Sequence, residues 1–240
     1  VNYAVLYNVF CCWMVALIGL AAVRELRKAD NLSQAWQAYG YFWLFAACLW
    51  FLAGLRLLAY FKGWPRMDRM LFYVDEVFAG LNVIAGVAFL LLRLWGKNRV
   101  TQAVLVFCSL SVVVFWLMLV IYGVSSTVNT PWASEHELPR AAFYAFLPGY
   151  LPCLFLIIYA TIRDVVERIG KGEWSNFNYA LATMTMGLYA AGGIADVRGI
   201  WAGWQLLLIR LLYMIAALAA FWVARSDRPQ IRVIRKAEGR

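Results

Sequence analysis

The residues this chain lacks narrow its reading first. It has a single histidine, His136, outside the long apolar runs. Haem or chlorophyll held by helical histidines is therefore excluded, and so is a HExxH zinc site. No GxSxG elbow and no glycine-rich phosphate loop occurs, which removes the common nucleophile and nucleotide-binding signatures and argues against an enzyme. Charge is scarce as well. Only 15% of the 240 residues are charged, whereas a soluble domain carries about 25%. Cys11, Cys12, Cys48, Cys108 and Cys153 all fall inside apolar segments and form no CxxC pair. They are read as small apolar residues rather than a disulfide framework. No catalytic residue, metal ligand or cofactor is assigned.

What fills the space is apolar. Hydrophobic residues make up 64% of the chain and the mean hydropathy is +0.69. A bilayer span needs about 20 mostly apolar residues, and seven such runs lie between the charges, at about 2–23, 38–61, 70–93, 100–123, 141–163, 177–197 and 200–224. The expected fold is all-α: a polytopic membrane bundle of seven transmembrane helices over residues 1–224, followed by a basic tail over 225–240. The first run carries no charge before Arg24. A secretory signal has its positive charges ahead of the apolar stretch, so this run is read as a retained first helix.

Basic residues orient the bundle. With the N-terminus outside, the inner segments hold Arg24, Arg27, Lys28, Arg93, Lys97, Arg99, Arg163, Arg168, Lys171 and the basic residues of the tail. The outer segments hold Lys62, Arg66, Arg69, Arg140 and Arg198. The positive-inside rule then places the N-terminus outside and the tail in the cytoplasm. Tryptophans agree, with Trp36, Trp95, Trp174 and Trp222 near inner helix ends and Trp64, Trp132, Trp201 and Trp204 near outer ones. The net charge of +9 thus follows from topology and implies no nucleic-acid partner. The expected partners are the lipid bilayer, anionic lipids at the tail and a membrane protein. Short loops suit a prokaryotic inner membrane.

One outer connection is long. Residues 124–140 contain Pro131, Pro139 and several polar side chains, so they continue neither flanking helix and are long enough to form a cap. The fifth run carries Pro148, Gly149 and Pro152, where a kink is expected. Helices one to three and five to seven run in the same directions, which permits a three-plus-one-plus-three plan without any visible sequence repeat.

The candidate ligand-binding residues are those whose polarity is costly in a bilayer. Arg56, Asp75, Glu76, Asp196 and Arg210 lie inside spans, all in the outer half. Each would cost about 2.5–3.5 kcal/mol at a helix centre, so each should face protein or water and find a partner. Arg56 is expected to pair with Asp75 or Glu76 across the short turn joining helices two and three, and Arg210 with Asp196. Asp75 and Glu76 are adjacent and point about 100° apart, so they do not form a converging carboxylate pair. Asp75, Ala79, Asn82 and Gly86 share one helical stripe, and Thr185, Tyr189, Gly192 and Asp196 share another. Together, Arg56, Asp75, Glu76, Asn82, Tyr189, Asp196 and Arg210 are expected to line an outward-facing polar cavity, or else to lock helices together.

No known seven-helix group is matched at its decisive residues. The lysine that retinal-binding rhodopsins need in the last helix is absent, since Arg210 is that run's one internal charge, and the only Pro-Gln pair, Pro229-Gln230, lies in the tail. The sequence therefore supports a receptor-like or interaction module first, a small transporter or channel second, and a scaffold subunit third.

Overall fold

A computed structural model describes residues 3–29, 32–171, 177–197 and 204–226. Arg198, Trp174, Trp201 and the tail from 227 onward fall outside the described residues. The described residues form seven helices: α1 (Tyr3–Arg27), α2 (Gln34–Phe61), α3 (Pro65–Trp95), α4 (Arg99–Tyr122), α5 (Arg140–Lys171), α6 (Phe177–Val197) and α7 (Trp204–Ser226). Six of them are long and apolar enough to cross a membrane. The exception is α6, whose 21 residues include Asn178, Tyr179, Thr183, Thr185 and Tyr189. These groups lower its hydropathy, yet Tyr179, Thr183, Thr185 and Tyr189 all make hydrogen bonds within the protein. Two short strands, β1 (Ser126–Asn129) and β2 (Ser134–Glu137), lie between α4 and α5.

Helix ends follow from local chemistry. Lys62, Gly63 and Trp64 join α2 to α3, with Gly63 at φ 70° and Pro65 opening α3. A positive φ suits glycine and a proline suits the first helical position, so the chain reverses sharply and α2 and α3 become antiparallel neighbours. At the other end, Asn98 caps α4 by accepting the Thr101 N–H at 2.8 Å. Helix α5 runs two turns beyond the apolar stretch, and there Arg163 and Glu167, four residues apart, pair at 3.0 Å on its exposed face. Pro148 and Pro152 both sit inside α5 without ending it, as spanning helices tolerate.

Packing closes a ring. Helix α1 packs on α2 and α7, α2 on α3, α3 on α5, α5 on α6, and α6 on α7. Helix α4 sits outside, against the seam of α3 and α5. Its buried residues, Thr101, Cys108, Val112, Phe115 and Leu119, recur at helical spacing along one stripe. Its other faces expose Phe107, Leu110, Leu117, Val120 and Ile121, as a lipid-facing helix should.

Aromatic rings fill the ring's interior. Trp36, Tyr39, Trp43 and Trp50 project from one side of α2, and each is at most 4% exposed. They meet Phe89 of α3, Tyr179 and Tyr189 of α6 and Tyr213 of α7. Trp36 thus stacks on Tyr179 at 4.8 Å inside the bundle instead of joining the interfacial belt assigned to it from its position near a helix end. All five cysteines are free, four of them buried.

Small residues set the closest approaches. A Cβ on Gly86 would stand 3.1 Å from Met186 Cε, 3.3 Å from Cys153 Sγ and 3.3 Å from Phe42 Cδ2, so α2, α5 and α6 all press on α3 there. Gly86→Leu is expected to cost about 1–3 kcal/mol by overpacking, read as a lower melting temperature in detergent. Gly170→Ala, where an added Cβ meets nothing, should leave melting unchanged or slightly raised.

Candidate functional site

The α3 stripe carries the chemistry. Asp68, Phe72, Asp75, Ala79, Asn82, Gly86, Phe89 and Arg93 recur at spacings of three and four, so they share one face of the helix. That face starts with two buried carboxylates at the end nearest the β-hairpin and finishes with a guanidinium at the opposite, basic end.

At the hairpin end, Arg56 of α2 reaches across the short turn to both carboxylates. Its Nη1 donates to Asp75 Oδ2 at 3.1 Å, and its Nε lies 3.4 Å from Asp68 Oδ1. The guanidinium also sits over the Phe72 ring, 4.9 Å from its centroid. Only 14% of the Arg56 side chain is exposed, 10% of Asp75 and 4% of Asp68. Of the two partners expected for Arg56, the structure selects Asp75 and adds Asp68. Glu76 stands outside this set, and its backbone carbonyl accepts the Trp116 indole N–H at 3.1 Å.

The long connection completes the cluster. Its strands pair antiparallel with Thr127 opposite His136, and the turn is built by Thr130, whose Oγ1 accepts the N–H groups of Trp132 and Ala133 at 3.2 and 3.0 Å. Pro131 occupies the second turn position, where its fixed φ fits. Strand β2 lies over Asp68. Ser134 Oγ donates to Asp68 Oδ2 at 2.5 Å, and His136 Nε2 is 3.1 Å from the same oxygen. Arg56 Nη2 donates to the Ser134 carbonyl at 3.5 Å, and Tyr60 donates to the Thr130 carbonyl at 2.9 Å. His136, edge-on to Phe72 with ring centroids 5.0 Å apart, is only 3% exposed at its side chain. The hairpin is thus latched onto buried charge.

From the latch a series of contacts runs into the bundle. Asn8 of α1 donates to the Trp132 carbonyl at 3.3 Å and accepts Arg210 Nε at 2.9 Å. Arg210 stacks over Trp50 at 4.8 Å, and Trp50 Nε1 donates to the Tyr189 hydroxyl at 3.1 Å. Arg210 therefore bonds with Asn8 of α1. The side chain of Asp196, its expected partner, lies outside the described residues. Asn82 donates to the Phe42 carbonyl at 2.7 Å, tying α3 to α2. Farther along, Tyr39 and Thr185 share a hydrogen bond of 2.8 Å.

At the basic end, Arg93 bonds with Asp164 of α5 and with the Thr183 hydroxyl of α6, and lies 5.7 Å from the Tyr179 ring centroid. Its side chain is 7% exposed. Among the described residues no group of His, Cys, Asp or Glu side chains is placed to hold a metal ion. Asp68, Ser134, His136, Asn8, Arg93 and Asp164 are not among the candidate binding residues that the sequence gives. Asp68 was within reach, since it lies seven residues before Asp75 on the same stripe; pairing of hairpin residues with it carries no local signal. The chain matches no protein-family model, no curated protein and no solved structure.

Removing one partner of a buried ion pair costs about 3–5 kcal/mol. Arg56→Met should therefore lower thermal stability in detergent strongly, and adding Asp75→Asn should restore part of the loss, a coupling of about 0.5–3 kcal/mol in a double-mutant cycle. Asp68→Ala releases both Ser134 and His136. Hydrogen bonds to charged groups contribute about 1.5–3 kcal/mol, so amide exchange over 126–137 should accelerate at least about tenfold, while exchange in the middle of α6 stays unchanged.

Proposed function

We infer that this protein is a receptor-like membrane module whose α4–α5 hairpin is the element on which an external ligand or partner acts. The observation that carries this reading is the hairpin latch. A connection held by Ser134, His136 and two backbone carbonyls on Asp68, Arg56 and Tyr60 has two plain states, docked and released. Release would expose a carboxylate pair that shares one guanidinium, and a ligand that binds the released state would shift the balance between them.

The contacts below the latch support transmission. Trp132, Asn8, Arg210, Trp50 and Tyr189 link the hairpin to α1, α7, α2 and α6 in turn, and Tyr39 with Thr185 continues toward the basic end. The buried rings of Trp43, Trp50, Tyr189 and Tyr213 occupy the middle of the ring, which favours a signalling module over a carrier. The orientation with the hairpin outside rests on the distribution of basic residues.

The test compares wild type with Asp68→Ala. Native mass spectrometry after gentle extraction from the protein's own membrane reads bound protein partners, and proteoliposomes loaded with pH- and potassium-sensitive dyes read flux. The expected outcome is a stoichiometric partner whose occupancy changes when the latch is cut, with no flux in either protein. Ion flux through a wild-type protein that carries no partner would replace this reading with a transporter.

A further inference from the structure

We propose that the cleft at the basic end of the bundle is a binding site for a phosphate ester, presented there by the headgroup of an anionic phospholipid. The cleft has a volume of about 400 Å³ and opens between the start of α2, the ends of α3 and α5 and the start of α6. It lies far from the hairpin latch, and the proposal does not rest on the receptor reading.

The argument is a balance of donors and acceptors. Two carboxylates line the cleft, and both are engaged: Asp164 by Arg93, and Glu167 by Arg163 Nε at 3.0 Å. Arg93 is engaged in turn, by Asp164, Thr183 and the face of Tyr179. The donors left over are of one kind. Lys97 lines the cleft with an exposed ammonium that has no partner among the described residues. Arg163 has one nitrogen on Glu167 and another in a weak 3.5 Å contact with the Leu94 carbonyl, so part of its fork faces the opening. Gln34 and Ala35, also in the lining, begin α2, where Ser33 accepts the N–H groups of Trp36 and Gln37 and its hydroxyl meets that of Tyr179. Part of a fork, an ammonium and the first turn of α2 line one cleft, and an oxyanion with several acceptor oxygens is their complement.

Location selects the source. The cleft sits where α2, α3, α5 and α6 leave their apolar stretches, with Trp95 stacked on Tyr159 beside it, ring centroids 6.0 Å apart. That is the level of lipid headgroups, and basic pockets between spanning helices on the cytoplasmic side are suited to anionic headgroups. The volume exceeds what a bare carboxylate fills and leaves room for a glycerophosphate.

The experiment uses the full chain in detergent, with lipid removed, and native mass spectrometry during titration with phosphatidylglycerol, phosphatidylcholine or glycerol 3-phosphate. Wild type is expected to retain one phosphatidylglycerol per chain at least about tenfold more tightly than phosphatidylcholine. In K97Q/R163Q that preference should disappear, whereas R99Q, which changes a basic residue outside the cleft lining, should keep it. Lys97 and Arg163 are exposed, so equal melting temperatures for wild type and K97Q/R163Q without lipid would certify the fold. Displacement of the lipid by millimolar glycerol 3-phosphate would support the phosphate chemistry and make a soluble ester the ligand. Equal retention of the two lipids by wild type, or a preference that survives in K97Q/R163Q, would overturn the proposal.

Discussion

Two carboxylates and one guanidinium, taken together out of water, constrain everything around them. Asp68 and Asp75 share a face of α3 because they are seven residues apart, and Arg56 is held beside them by the sharp turn through Gly63 and Pro65. Such a set cannot sit against hydrocarbon, since each charge there would cost about 2.5–3.5 kcal/mol. It has to be covered by something that brings hydrogen-bond donors. The hairpin does so with the Ser134 hydroxyl and sets the His136 ring 3.1 Å from the same carboxylate, and its own backbone carbonyls accept from Arg56 and Tyr60. The charges thus dictate that the long connection is ordered, and the connection allows the charges to be buried.

The same economy governs the middle of the bundle. Without a hydrophobic driving force between helices in lipid, close packing and interhelical hydrogen bonds do the work. Aromatic rings from α2 fill the ring of helices, and their polar tips are used: Trp50 to Tyr189, Tyr39 to Thr185. Glycines sit where a neighbouring ring needs room, as at Gly192 against Tyr213 and Gly54 against Trp13. The polar residues of α6 fall into the same scheme. They fasten it to α2 and α3, so its residence in the bundle depends on its neighbours as well as on lipid.

Much of the architecture was legible in the chain because hydropathy reports directly on the bilayer. The seven runs, the α2–α3 antiparallel pair and the Arg56–Asp75 ion pair follow from apolar length, a short turn and equal depth of opposite charges. Helix ends were displaced where a helix continues past its apolar stretch, as α5 does through Arg163 and Glu167 to Lys171. What was not legible is tertiary. Nothing local says that Ser134 and His136 meet Asp68, since the partners are more than sixty residues apart. Trp36 looked interfacial by its place near a helix end, yet rotation of α2 turns it inward onto Tyr179. Arg93 read as one more inner charge, and its depth against Asp164 emerged only from packing.

The seam between α1 and α7 joins two helices that are distant along the chain, and Asn8 with Arg210 is its polar rivet. During synthesis α1, α2 and α3 can gather as they enter the bilayer, because each packs on the one before. The ring cannot shut until α7 follows. Until α7 arrives Asn8 lacks Arg210, and an unfinished bundle presents its polar interior sideways to lipid. The contact that joins the two ends of the helix series is therefore the one that waits longest for its second half, and a chain interrupted before α7 would leave the ring open along α1.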